Sequence, residues 1–318
     1  MKSNEKFYSS HFPLFRSKRK KQEGVLFTVP MIISLAVLAA IIFCCVFATV
    51  ISPYSPTEQD LASSLAHPSL AHLLGCDKVG RDLLTRLFYG GRTTLLSALG
   101  VVALSIVIGV PLGLLSGYYG KMVDTIIGRV CDVLLAFPSL LLAFVFVAGL
   151  GRGLGNAVIA LGIVYVPMLT RLVRSLTMVE KNKTYVEAMN SIGYSDARIM
   201  FRHILPNCIS TITVQITLDL AYAILDLAAL SFLGLGVQPP TADWGAMLDE
   251  GRNFLLQTPM LAIAPGLAIV VVVVSLNIFS DGLHQYFEPI QRKLPSFKKL
   301  EKREAKMRAK NEKETAGA

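Results

Sequence analysis

Residues 184–207 read TYVEAMNSIGYSDARIMFRHILPN and lie between two long apolar runs. The segment from Glu187 to Ile192 is rich in helix formers. Tyr185, Met189 and Ile192 recur at i, i+4 and i+7, one face of a helix. Gly193 stands where a helix end takes a left-handed residue. Ser195 offers an N-cap, and Asp196 puts a negative charge in the next first turn, where it complements the helix dipole. Ala197, Phe201 and Ile204 make a second apolar face, and Pro206 is expected to stop that helix before the next apolar run. The stretch therefore reads as helix, tight turn, helix. It has too little core to be a domain, so its apolar face needs cover from a partner or from lipid.

The runs on either side set the fold class. The chain is 53% hydrophobic and 17% charged, against about 25% charged in soluble proteins. A membrane-crossing helix needs about 20 mostly apolar residues. Six runs meet that need, near 25–51, 93–117, 130–150, 156–172, 208–236 and 260–280. The first is longer than the apolar stretch of about 7–15 residues in a signal peptide and is expected to stay as a span. The expected fold is all-α and integral to the membrane, with six transmembrane helices. Residues 1–24 form a basic tail, 25–92 the first span and an outer loop, 93–290 a five-helix core with the loop at about 175–207, and 291–318 a charged tail.

Charge placement orients these spans. With the N-terminus inside, 25 of the 31 Lys and Arg residues fall on the inner side and 6 on the outer. The positive-inside rule then puts both termini and the 184–207 stretch in the cytoplasm. The net charge of +9 gathers in the tails and one loop, without interleaved aromatics. That pattern suits membrane lipid headgroups and not nucleic acid.

Several chemistries are missing. No G-x-x-x-x-G-K-[ST] occurs, so ATP has no P-loop here. All five histidines lie outside the apolar runs, and the five cysteines form no C-x-x-C pair. The chain is expected to bind no metal, to carry no catalytic residues and not to be an enzyme.

One span is unusually polar. Gln215, Asp219, Tyr222 and Asp226 follow at i, i+4, i+7 and i+11 and share one helical face. An Asp at the centre of a spanning helix costs about 2.5–3.5 kcal/mol, so this face is expected to meet a neighbouring helix or a translocation path. An ion-coupled transporter using Asp219 and Asp226 is the alternative function. Asp132 is expected beside Arg129, a kink at Pro138, Trp244 as an interfacial anchor, and Arg81 with Asp82 as a local ion pair.

Three segments together resemble a known family. Glu187-Ala188-Met189, Gly193 and His203-Ile204-Leu205-Pro206 resemble the E-A-A loop of ABC importer permeases, with Met189 and His203 as departures. HLLGCDKVGRDLLTRLFYGGRTTLL (72–96) and LSFLGLGVQPPTADWGAML (230–248) are similar to signatures of the C-type subunit of dipeptide, oligopeptide and nickel importers. The resemblance implies a type I importer permease core in a bacterial inner membrane, transporting peptides or a related small solute such as a metal chelate. It implies that Glu187, Ala188, Met189, Gly193, Leu205 and Pro206 form a coupling element on a separate ATPase. The implied partners are two ATP-binding subunits carrying ATP and magnesium, a homologous second permease and an extracytoplasmic solute-binding protein. That binding protein would meet the loop around Gln238, Pro239, Pro240 and Trp244.

Overall fold

A computed structural model of the protein describes residues 29–287. Both charged tails and their expected lipid contacts lie outside the described residues. Among the described residues the regular structure is helical, apart from one isolated bridge between Cys76 and Asp82.

The helices are α1 (Val29–Val46), α2 (Ala48–Ile51), α3 (Leu83–Tyr119), α4 (Lys121–Leu135), α5 (Ser139–Leu150), α6 (Leu154–Lys181), α7 (Thr184–Ile192), α8 (Asp196–Ile199), α9 (Leu205–Phe232), α10 (Trp244–Arg252) and α11 (Met260–Phe287). Five stretches are long and apolar enough to cross a membrane alone: α1, α3, α6, the continuous helical stretch Asp196–Phe232, and α11. The third expected span is split instead. α4 and α5 meet at a 92° bend around Pro138, sharper than a kink. α5 has 12 residues, about 18 Å of helix, which is short of the hydrocarbon thickness of about 30 Å.

Helix ends also move outward from the expected bounds. α3 has 37 residues rather than the apolar 93–117, about 55 Å of helix, so its polar first turns stand outside the apolar layer. α6 likewise runs on to Lys181. Pro206 does not stop a helix. The preceding turn, Met200–Ile204, is a π-helical turn in which the Leu205 N–H donates to the Met200 carbonyl. The wider turn gives the proline ring room, and its missing N–H costs one bond without breaking the rod.

The α3–α6 pair forms the spine. Gly109, Gly113 and Gly117 repeat every four residues on the face of α3 that meets α6. A Cβ at Gly113 would lie 2.6 Å from the Val173 Cβ and 2.7 Å from the Thr170 carbonyl oxygen. A Cβ at Gly117 would lie 2.7 Å from the Arg174 carbonyl oxygen. Small residues here let two backbones touch, the main source of helix association when lipid removes the hydrophobic drive. Toward the start of α3 the core is built on Val101, Leu161, Ile224 and Val272. Toward its end a second cluster holds Leu114, Leu169, Val173, Val186, Ile199 and Ile204.

The α3 start carries a buried ionic latch. Arg81 Nε donates to Asp77 at 2.6 Å and its Nη2 to Glu250 on α10 at 3.3 Å. Arg86 bonds the same Asp77 and reaches Glu250 at 2.8 Å. Arg81 and Asp82 are therefore not a pair. Asp82 accepts from the Thr85 N–H at 2.8 Å as the cap of α3, and contacts His72 Nδ1 at 3.0 Å. Burial pushes the Asp77 carboxyl up, but the Arg81 N–H, the Arg86 charge and the Val79 N–H outweigh it, and its net pKa is lowered. A depressed carboxylate stabilises the fold at neutral pH and loses that contribution as pH falls below about 4. Limited proteolysis of the 52–82 segment is expected to stay slow from pH 8 to 5 and to speed up below pH 4. A cleavage rate that stays flat from pH 8 down to below pH 4 would refute the latch.

Candidate functional site: a helical knob and a polar stripe

The 184–207 stretch is a knob tied to the end of α3. α7 ends in a Schellman turn: Gly193 sits at φ +86, its N–H donates to the Asn190 carbonyl at 3.0 Å, and the Tyr194 N–H donates to the Met189 carbonyl at 3.1 Å. Nothing lies within 4 Å of a Cβ built on Gly193, so its requirement is purely one of backbone conformation. Ser195 occupies the cap position of α8, but its hydroxyl makes no capping bond. Asp196 instead accepts from the Tyr118 hydroxyl at 3.0 Å, and the same hydroxyl reaches Asn190 Oδ1 at 3.3 Å. One phenol thus touches both arms of the knob. Lys181 Nζ donates to the Tyr118 carbonyl, and the Tyr185 hydroxyl donates to buried Glu180 at 2.9 Å.

The inner face differs from the expected stack. Val186 is the buried residue of α7, Tyr185 and Met189 are partly buried beside it, and Ile192 points outward at 74% exposure. Six residues from Val186 is about 600° of turn, which leaves Ile192 about 120° around the helix from the buried side. Phe201, two residues past buried Ile199, is likewise exposed at 48%. Glu187, Ala188, Arg198 and Pro206 are also exposed, while Leu205 is half-buried. The knob therefore exposes two large apolar side chains, Ile192 and Phe201, while Val186, Ile199 and Ile204 are buried against the rest of the chain.

The stripe on α9 is partly satisfied. Gln215 Nε2 donates to Asp219 Oδ1 at 2.8 Å, and the Tyr165 hydroxyl on α6 donates to Asp226 Oδ2 at 2.8 Å. Asp219 is buried, Asp226 is half-buried and Tyr222 is exposed. Tyr165 was not singled out from sequence, because a lone Tyr in an apolar run gives no pairing signal. Asp132 pairs with Arg171 of α6 and not with Arg129. Arg174 Nη2 likewise holds Asp124 of α4 at 2.6 Å, so two ion pairs fasten α4 to α6.

The loop before α10 corrects one expectation. Trp244 is 1% exposed and is neither an interfacial anchor nor an outward contact. Its Nε1 donates to the Leu87 carbonyl at 2.9 Å, and its ring lies against Gly91. Asp243 caps α10 by accepting from the Gly245 and Ala246 N–H groups at 3.1 and 3.2 Å, and takes the Thr94 hydroxyl at 2.6 Å. Asp-Trp-Gly is thus a plug that seats α10 against α3. Gln238, Pro239 and Pro240 are exposed. Among the described residues no group of three His, Cys, Asp or Glu side chains is arranged to hold a metal.

Comparison with known proteins bears on this arrangement directly. Residues 109–293 match the model of the binding-protein-dependent transport system inner membrane component. The chain belongs to that family. Residues 31–68 also match the N-terminal transmembrane domain of oligopeptide transport permease C. The chain is 45% identical over 255 residues to the di/tripeptide transport system permease protein DppC of Pseudomonas aeruginosa, covering 78% of this chain and 84% of that one. It is 46% identical over 222 residues to the glutathione transport system permease protein GsiD of Pectobacterium atrosepticum, covering 70% and 74%. The fold is similar to a chain of the MetNI methionine ABC transporter, with a TM-score of 0.51, 17% identity, and coverage of 63% of this chain and 95% of that one.

This ABC importer permease is a multi-pass membrane protein with the type I importer fold. Permease subunits of the family are not enzymes, and ATP is hydrolysed by partner subunits. The absence of a P-loop in a chain with an outward-facing knob is consistent with that division of labour.

Proposed function

We propose that this permease subunit forms half of the path of an ATP-driven importer of short peptides, and that the 184–207 knob is where the ATPase grips it. The observation that carries the coupling reading is the exposed pair Ile192 and Phe201, at 74% and 48%, on an element whose opposite face is locked to α3 by Tyr118. A rigid knob with an uncovered apolar tip transmits force, because its base cannot slip on the helix that carries it. Peptide cargo is supported by the relatives named for di/tripeptide and glutathione transport. In this reading Glu187, Ala188, Met189 and Gly193 shape the docking helix. Leu205 and Pro206 join it to α9, so a push on the knob travels along one continuous rod.

The assembly would comprise a second, homologous permease, two ATP-binding subunits that hold ATP and magnesium, and a solute-binding protein on the outer side. The Lys and Arg count supports a cytoplasmic side for both tails and the knob, which would leave the Gln238-Pro239-Pro240 turn for the binding protein. Gln215, Asp219, Tyr222 and Asp226 would line the path.

The test is Ile192→Asp in the reconstituted transporter. Removing an apolar anchor at the centre of an interface costs about 2 kcal/mol or more. ATPase co-purification is expected to fall at least ten-fold while the permease stays folded. Undiminished co-purification would remove Ile192 from the contact. Peptide uptake driven by an ion gradient with no ATPase present would overturn the whole reading in favour of ion-coupled transport through Asp219 and Asp226.

A further inference from the structure

The stripe on α9 holds one group that its surroundings leave unsettled. Asp219 is 6% exposed, and Gln215 satisfies its Oδ1. Its Oδ2 is sealed from solvent and accepts no hydrogen bond. Bare carboxylate oxygens are costly inside a protein, and ionisable groups in spanning helices are retained where they meet a path or a ligand. Two turns further on, Asp226 is different, because the Tyr165 hydroxyl bonds it at 2.8 Å. Between them Tyr222, on the same face of α9, is 56% exposed. Among the described residues no Lys, Arg or His forms an ion pair with Asp219.

The chemistry selects the ligand. A divalent metal needs several oxygen or nitrogen ligands, and no suitable group of His, Cys, Asp or Glu surrounds this position among the described residues. A primary ammonium needs one negative charge and brings three N–H donors on a compact head. We propose that Asp219 is an ammonium-binding station, holding a solute by its protonated amine during passage, with Tyr222 at its rim. This rests on the importer reading above. Asp226, already bonded to Tyr165, fastens α6 to α9 and does not take the solute.

The test uses the complete transporter in proteoliposomes. A Tyr222→Cys variant is labelled with a quaternary-ammonium thiosulfonate and with a sulfonate-bearing one, the wild-type chain run in parallel to subtract half-buried Cys44. The cationic reagent is expected to react at least ten-fold faster. Adding Asp219→Asn removes that bias, and a free-amine dipeptide slows labelling where its N-acetylated form does not. Equal rates for the two reagents, or a bias that survives Asp219→Asn, overturn the station.

Uptake gives a second reading. At saturating loaded binding protein, Asp219→Asn is expected to lower the maximal rate about ten-fold, with Asp219→Glu restoring part of it and ATPase stimulation intact. An unchanged rate also overturns the station. Where Asp219→Asn yields no assembled complex, the reagent bias and dipeptide protection in Tyr222→Cys alone decide. A wild-type transporter that imports no peptide, while its Tyr222→Cys form shows the charge bias, sinks the peptide reading. A transporter that imports peptide without the bias sinks the station alone.

Discussion

Gly113→Leu is expected to insert into the membrane and fail to yield a folded permease. The new Cβ would sit 2.6 Å from the Val173 Cβ and 2.7 Å from the Thr170 carbonyl oxygen, closer than real Cβ contacts come. A side chain in the way can change rotamer, but a helix carbonyl cannot, so α3 and α6 must separate. Overpacking in cores that relax costs about 1–3 kcal/mol, and a contact against backbone falls above that range. The consequence reaches the knob as well, because Tyr118 and Lys181, which tie it down, stand just past this seam on the two separating helices. Gly128→Leu on α4 is the control, since nothing lies within 4 Å of its Cβ. The measurement is the yield of monodisperse protein in detergent and its thermal midpoint. Gly113→Leu is expected below one tenth of the wild-type yield and Gly128→Leu near it. A wild-type midpoint for Gly113→Leu would remove the seam from any structural role.

The contrast between that seam and the knob shows which features a single sequence exposes. Gly193 was legible because its effect is local: a left-handed residue closing one helix reads from its neighbours alone. The spans were legible for the same reason, each being one long apolar run. The four-residue spacing of Gly109, Gly113 and Gly117 was in plain view, but its meaning depends on α6 lying opposite, which the run of apolar residues does not announce. Tyr118 and Tyr165 were missed because their partners lie 72, 78 and 61 residues away. Trp244 was misplaced for a related reason. An aromatic near a span end suits the interface, and only the close approach of Gly91 and the Leu87 carbonyl makes it a plug. The break at Pro138 was half legible. Proline told of a bend, but not of its 92°, nor of Asp124 and Asp132 pairing with Arg174 and Arg171 to hold α4 to α6.

A series at Gly193 separates a coupling knob from a passive surface hairpin. The position needs φ +86 and has open space around its Cβ, so substitutions act through the backbone alone. Asn enters the left-handed region readily, and Gly193→Asn is expected to transport within about two-fold of wild type. Gly193→Ala pays roughly 1–2 kcal/mol for the same conformation, and its uptake is expected to fall several-fold. Gly193→Pro cannot adopt the angle, since the ring holds φ near −65°, roughly 150° away. It also removes the N–H that donates to the Asn190 carbonyl at 3.0 Å. The turn then re-aims α7, and Ile192 moves relative to α8. Membrane insertion and the α3–α6 seam are untouched, because both lie outside the turn. Uptake by Gly193→Pro is therefore expected at background, with ATP hydrolysis no longer responding to loaded binding protein. If the loop merely covered lipid, Asn, Ala and Pro would transport alike. The graded order Asn, Ala, Pro is what a force-bearing turn requires, and a flat series would sink the coupling reading while leaving the family assignment intact.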